Sequence, residues 1–158
     1  MTRNEIKLVC TDIDGTLTDG RIYIGSDGEV MKSFDVKDGL GMAMAREKGI
    51  IFAIITGRES EIVKVRAKEL GIEEIHQAVH KKIDVIHDLM VKYSLEKENV
   101  AYLGDDVNDL EPIQYVGMGV AVGDAHSEVI EHADVVLHSP GGRGAMREFL
   151  DNYVLKGV

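Results

Sequence analysis

The sequence predicts an α/β protein built on one doubly wound, mostly parallel sheet. Short runs of apolar, often β-branched residues alternate with longer amphipathic stretches along the chain. Most of these runs are apolar at successive positions, as strands covered on both faces are. The chain has 158 residues, 44% of them hydrophobic. At that size a compact fold buries roughly 70% of the surface its unfolded chain exposes. One domain over residues 1–158 is therefore expected, with no repeat, linker or low-complexity tract to divide it.

The first strand is expected over residues 6–10 (Ile-Lys-Leu-Val-Cys). The chain then departs from the alternation. Residues 21–36 read as two short strands about Ser26-Asp27-Gly28, and Asp-Gly is a strong hairpin signal. A helix follows over 39–48, a strand over 50–55 and a helix over 59–70. Gly49 and Gly71 lie just past those helical patterns, where C-terminal caps sit. A strand over 74–78 leads to a helix over 82–93, and a strand over 100–103 to a helix over 108–115. Then come a strand over 119–122, a helix over 127–132 and a strand over 134–137. A last helix runs from about 144 to 154, inside a C-terminal tail of about 140–158. Sheets of this kind take their ligands at the carboxyl ends of the strands.

Composition narrows the function classes. With 29% charged residues and a 44% hydrophobic share, the chain is neither disordered nor collagen-like. No apolar run approaches the ~20 residues of a membrane helix. The first six residues carry no apolar signal core, so a cytoplasmic protein is expected. A net charge of −10 makes nucleic acid and acidic membrane surfaces poor partners. The single cysteine, Cys10, excludes an internal disulfide and reads as a buried thiol.

The acids are concentrated where ligands would bind. The first strand runs into Asp12-Ile13-Asp14-Gly15-Thr16, and the fourth long strand into Gly104-Asp105-Asp106-Val107-Asn108-Asp109. A parallel sheet points these ends the same way, so Asp12, Asp14, Asp105, Asp106 and Asp109 would crowd one cleft. Like charges that close raise one another's pKa values. A hard divalent cation with oxygen ligands relieves them, and magnesium, which shares carboxylates with phosphate oxygens, is the natural choice. Thr56, at the tip of the second long strand, offers a hydroxyl beside Gly57, and a lysine opens the helix at 82. Lys81 and Lys82 are both candidates for that lysine. Carboxylates, a hydroxyl and a lysine around one cation describe phosphoryl transfer.

In order, Asp12-Ile13-Asp14-Gly15-Thr16, Thr56, Lys82 and Gly104 to Asp109 resemble the four motifs of the haloacid dehalogenase superfamily. More narrowly the chain resembles the small phosphatases acting on 3-deoxy-D-manno-octulosonate 8-phosphate. That likeness extends to Lys37-Asp38-Gly39-Leu40-Gly41, Thr56-Gly57-Arg58, Gly123-Asp124-Ala125-His126 and Gly141-Gly142-Arg143-Gly144-Ala145-Met146-Arg147-Glu148. The resemblance implies a magnesium-dependent phosphatase that works through an aspartyl phosphate. Asp12 would be the nucleophile and Asp14 the general acid and base. Thr56 and Lys82 would hold phosphoryl oxygens. The metal would sit on Asp12, the Asp14 main-chain carbonyl and Asp105, with Asp106 and Asp109 in supporting places. Gly57, Arg58, Arg143 and Arg147 are candidate contacts to a phosphosugar acid, with Arg66 a weaker one. His126 lies in a loop near the site.

The resemblance also implies a homotetramer. Neither gap between the motifs has room for a cap domain, so neighbouring subunits would complete the site. Ile22, Tyr23, Ile24, Val30, Met31 and Phe34 place apolar side chains on both faces of the hairpin. Two other functions compete. One is a phosphatase for a nine-carbon keto-deoxy sugar acid 9-phosphate or another small phosphometabolite. The other is a non-enzymatic phospho-acceptor or oligomerisation module. Receiver domains, however, place the acid pair first, the phospho-acceptor third and the lysine after the threonine on the last strands, whereas Lys82 here precedes Gly104-Asp105-Asp106, and they need no acid such as Asp14.

Overall fold

The computed structural model describes residues 5–156; residues 1–4 and 157–158, the two ends of the expected domain, lie outside the described residues. β1 (Leu8–Thr11), β4 (Ile51–Ile55), β5 (Glu74–His76), β6 (Val100–Gly104), β7 (Met118–Ala121) and β8 (Val135–Val136) form one six-stranded sheet. Its order is β5-β4-β1-β6-β7-β8, and all five pairings are parallel. From β1 the chain builds outward to one edge, then returns across β1 to build the other. The order therefore reverses about β1, and the crevice at the carboxyl ends of β1 and β6 is the place for a ligand.

β1 and β6 are buried along their whole length, and Leu8, Val9, Cys10, Val100, Ala101, Tyr102 and Leu103 are wholly buried. These central strands read as continuous apolar runs because helices cover both faces. The helices are α1 (Val36–Glu47), α2 (Glu61–Leu70), α3 (Lys82–Tyr93), α4 (Leu110–Tyr115), α5 (Ser127–His132) and α6 (Ala145–Phe149). Ser60 caps α2 through its side chain to the Val63 amide, and Gly71 ends it in the left-handed conformation at φ 67°.

Some expected elements shift. α1 begins at Val36 rather than 39, because Asp35 caps it by accepting from the Lys37 amide. The expected helix over 108–115 splits into a 3-10 turn at Val107–Asp109 and α4. The tail helix is α-helical only to Phe149 and then widens into a π turn over Leu150–Val154. A 3-10 turn at Lys97–Asn99, absent from the sequence reading, precedes β6.

The hairpin is β2 (Tyr23–Gly25) paired antiparallel with β3 (Gly28–Met31). It forms its own small sheet between β1 and α1 in the chain. Tyr23, Ile24, Val30 and Met31 are exposed, Ile24 by 69%. Phe34 corrects the expectation of an unpartnered hairpin face. It packs on the core of its own chain, with the Arg66 guanidinium 5.5 Å from its ring centre.

Candidate active site

Strand register brings the acidic motifs together. Thr11 pairs with Ile54 on one side and Leu103 on the other, so Asp12 follows at the level where β6 ends in Gly104 and β4 runs into Thr56. The Asp12 amide donates to the Leu103 carbonyl at 3.2 Å. Beyond Asp12 the chain coils, and the amides of Thr16, Leu17 and Thr18 all donate to the Ile13 carbonyl. Gly15 makes that coil possible. Its φ is +91°, and a Cβ there would stand 1.9 Å from the Asp105 carboxylate.

Asp12 is buried, and its Oδ1 accepts from the Ile13 amide at 2.8 Å. The same oxygen lies 3.4 Å from Lys82 Nζ. Among the described residues no donor is bonded to its Oδ2, the oxygen left for an incoming group. Asp105, after β6, takes a hydrogen bond from the Thr16 hydroxyl at 3.0 Å. Thr56 is buried at the end of β4, its amide bound to the His76 carbonyl of β5. Lys82, at the first turn of α3, is buried, whereas Lys81 is exposed, with Asp84 4.0 Å away. Lys82 is therefore the lysine that faces the cleft.

Asp109 organises the floor of the site. Its Oδ1 accepts from Lys82 Nζ at 2.8 Å and from the Tyr102 hydroxyl at 2.5 Å. Its Oδ2 accepts from the amides of Asp105 and Asp106 at 2.9 and 3.2 Å. Gly104 allows this approach, since a Cβ there would sit 2.5 Å from Asp109. Asp106 is exposed and caps the Val107 amide.

One carboxylate oxygen from each of Asp12, Asp105 and Asp109 lies within 4.8 Å of the others. Four hydrogen bonds already use the acceptor positions of Asp109, so Asp12 and Asp105 are the carboxylates available to a cation. An all-oxygen donor set suits a hard divalent ion. The electrostatics agree. Burial, then the neighbouring Asp12 and Asp109, push the Asp105 carboxyl up to about 8. Burial, then Asp109, push Asp12 up to about 6 against the pull of Lys82. Burial lowers the Lys82 ammonium, but Asp12 and Asp109 outweigh it and raise the group.

These shifts have a consequence for stability. An acid whose pKa is higher in the fold than in the unfolded chain binds its proton more tightly when folded. Its contribution is complete below the ordinary carboxylate range and is lost as pH rises through the raised value. The chelator-treated protein should therefore melt at a lower temperature at pH 8.5 than at pH 5. Added magnesium, which replaces the protons, should raise the melting temperature more at pH 8.5 than at pH 5. Differential scanning fluorimetry checks this, and a magnesium effect independent of pH would contradict it.

The remaining candidates sit around this centre. Gly57 and Arg58 are exposed after β4, with Arg58 Nη2 3.3 Å from Glu29 Oε2 of the hairpin. The Gly-rich tail docks on the Asp12 loop of its own chain. The Gly142 amide donates to the Thr16 carbonyl at 3.1 Å, and the Gly141 amide to Asp124 at 2.9 Å. A Cβ on Gly141 would stand 1.8 Å from the Gly15 carbonyl oxygen, which is why the tail needs glycine there. Arg143 is exposed next to this contact. Arg147 is not brought to the cleft: its guanidinium is occupied by Asp151 at 3.0 Å and by the Lys37 carbonyl at 3.2 Å, against α1. Arg66 likewise bonds Glu69 at 3.2 Å and the Asp35 carbonyl at 3.4 Å. The His126 ring caps α5 by accepting from the Glu128 amide. Cys10 is wholly buried in β1, and burial pushes its thiol up.

Sequence reasoning missed two contributors. Tyr102 sits in an apolar strand and looks like core, yet its hydroxyl holds Asp109. Lys32 of the hairpin is buried and paired with Asp14. The i, i+3 pair of opposite charges, Glu29 and Lys32, offers Lys32 one partner but carries no sign of Asp14.

Comparison with known proteins places this geometry. Residues 69–146 match the pattern of haloacid dehalogenase-like hydrolases. The chain is 46% identical over 156 residues to a 3-deoxy-D-manno-octulosonate 8-phosphate phosphatase of Salmonella typhi, covering 98% of this chain and 83% of that protein. It superposes with a TM-score of 0.91 on the crystal structure of such a phosphatase from Moraxella catarrhalis in complex with magnesium, phosphate and the sugar acid. That match is 40% identical and covers 94% of this chain and 86% of the other. The cobalt-bound form of the Haemophilus influenzae phosphatase gives 0.91 at 40% identity, with coverage of 96% and 88%.

Proposed function

The chain belongs to the haloacid dehalogenase-like hydrolases and is a phosphoric monoester hydrolase, and from that premise we propose that its substrate is 3-deoxy-D-manno-octulosonate 8-phosphate. The observation that carries the chemistry is Asp12, with one oxygen fixed by the Ile13 amide and Lys82 and the other open. Oδ2 attacks phosphorus, and the bond from phosphorus to the sugar oxygen breaks. Asp14 gives its proton to the departing alkoxide. Its carboxylate then takes a proton from the water that attacks the aspartyl phosphate, which frees Asp12 and inorganic phosphate. Lys82 and Thr56 hold the phosphoryl oxygens throughout, and the Asp109 contacts keep Lys82 in place. Magnesium is the cofactor; the Asp12 and Asp105 carboxylates and the Asp14 main-chain carbonyl would hold it, and it would supply charge neutralisation at the phosphate.

Gly57 brings the backbone close to the substrate, and Arg58 and Arg143 are the exposed cations assigned to the sugar-acid carboxylate, to which arginine binds in bidentate fashion. The test is kcat/KM with magnesium across eight- and nine-carbon sugar-acid phosphates and neutral sugar phosphates. The eight-carbon acid should lead. A higher value for a neutral sugar phosphate would reject the carboxylate reading, and one for the nine-carbon acid would reassign the substrate.

We further propose that the protein works as a homotetramer whose hairpins pack together. The exposed Tyr23, Ile24, Val30 and Met31 support this, because a lone hairpin with such side chains in water is marginal. Phe34 belongs to the intramolecular core, so the informative substitutions are Ile24→Asp and Val30→Asp. Light scattering should then report a smaller species, with depressed turnover of the sugar substrate. A fully active wild-type monomer would refute the assembly.

A further inference from the structure

Lys32 stands out in the hairpin. Its neighbours Val30 and Met31 are 62% and 52% exposed, but its own side chain is entirely buried. Burying an ammonium and fixing a long side chain both cost free energy, so the position calls for partners. Lys32 has two. Its Nζ donates to Asp14 Oδ1 at 2.5 Å and lies 3.2 Å from Glu29 Oε2. Glu29 is itself fixed by the Ser60 hydroxyl, at the N-terminus of α2, and by Arg58 at 3.3 Å. A continuous chain of charge-assisted hydrogen bonds thus joins three segments: the loop after β1, the hairpin and the loop after β4. Among the described residues, Lys32 is the one hydrogen-bond partner of the Asp14 side chain, which keeps 20% of its surface exposed.

Resting on the reading of Asp14 as general acid and base, we propose that Lys32 is a positioning residue: it sets the Asp14 carboxyl for proton transfer, and Glu29 sets Lys32. Proton transfer requires a carboxyl oxygen within hydrogen-bond reach of the leaving oxygen. A carboxyl tied to one rotamer through Oδ1 presents Oδ2 at a fixed place. One free to turn toward water does not, and displacement by ~1 Å costs on the order of 100-fold in rate. The hairpin is then part of the catalytic apparatus, in addition to any role between subunits.

The test compares single-turnover rates on two phosphate esters that differ in leaving group. A sugar alkoxide must be protonated as it departs, whereas p-nitrophenolate leaves unaided. Lys32→Met should slow transfer from the sugar phosphate by about 100-fold and leave the p-nitrophenolate burst nearly unchanged. Lys32→Arg should restore most of the sugar-phosphate rate. Glu29→Gln, which keeps the lysine but loosens it, should show the same pattern more weakly and covers the case in which Lys32→Met folds poorly. Within an Asp14→Asn background, Lys32→Met should cost nothing further, because its effect runs through Asp14. Equal losses on both esters would mean that Lys32 binds phosphate or only supports the fold, and would overturn the proposal. So would losses that multiply in the double variant. If Asp14→Asn discriminates between the esters and Lys32→Met does not, the positioning role alone fails. If Asp14→Asn slows both equally, the acid-base reading fails and takes the proposal with it.

Discussion

Asp12→Asn should abolish turnover of every phosphate ester, by on the order of 10⁴-fold or more, while leaving the protein as stable as before. The two halves of that result have different causes. Activity disappears because an amide oxygen is a poor nucleophile. Stability survives because Asp12 is held against its own electrostatic interest. Burial and Asp109 push its carboxyl up to about 6, so near neutral pH its negative charge is a cost. The amide keeps the shape and removes the charge. Lys82 loses one partner at 3.4 Å and retains Asp109 at 2.8 Å. Steady-state assays and a thermal melt together check this. A melt depressed by many degrees would mean that Asp12 holds the fold together.

Asp109→Ala should do the opposite to the fold and smaller, though still large, damage to the chemistry. Asp109 is wholly buried and bonded to Lys82, Tyr102 and the amides of Asp105 and Asp106. Removing one partner of a buried ion pair costs about 3–5 kcal/mol, because the other charge stays behind. For a chain of this size that is a fall in melting temperature of about 10 °C. Rate should fall by about 100-fold, since both Lys82 and the loop carrying Asp105 lose their anchor. Asp109→Asn offers one acceptor oxygen where the carboxylate offers two, so it should recover part of the stability and little of the activity. Equal activity in Asp109→Ala and wild type would remove Asp109 from the account.

The carboxylates of the candidate site were legible in the sequence because strand ends are. A buried parallel strand is an apolar run, and the first acid after it must stand at the carboxyl end of the sheet. That logic pointed to Asp12, Asp105 and Thr56, and strand order and register set the ends of β4, β1 and β6 that carry them side by side. It could not choose between Lys81 and Lys82, because one residue of helical phase decides which side chain enters the cleft. Nor could it see Lys32, whose burial depends on how far the hairpin folds back toward Asp14, a path no local pattern encodes. The start of α1 was misjudged for a related reason. Gly39 and Gly41 weaken the helical pattern, but Gly41 lets α1 approach α6, since a Cβ there would stand 2.7 Å from the Arg147 side chain. Arg147 looked like a substrate contact for want of that same packing information.

The aspartyl phosphate can be tested by chemical trapping. Borohydride reduces an acyl phosphate to an alcohol but leaves a carboxylate alone, so a phosphorylated Asp12 caught by acid quench becomes homoserine. During the first turnover of 3-deoxy-D-manno-octulosonate 8-phosphate, peptide mass spectrometry should find homoserine at position 12, and none when substrate is omitted. Release of phosphate through that turnover with residue 12 still aspartate at every quench time, or with homoserine at another aspartate, would contradict the mechanism.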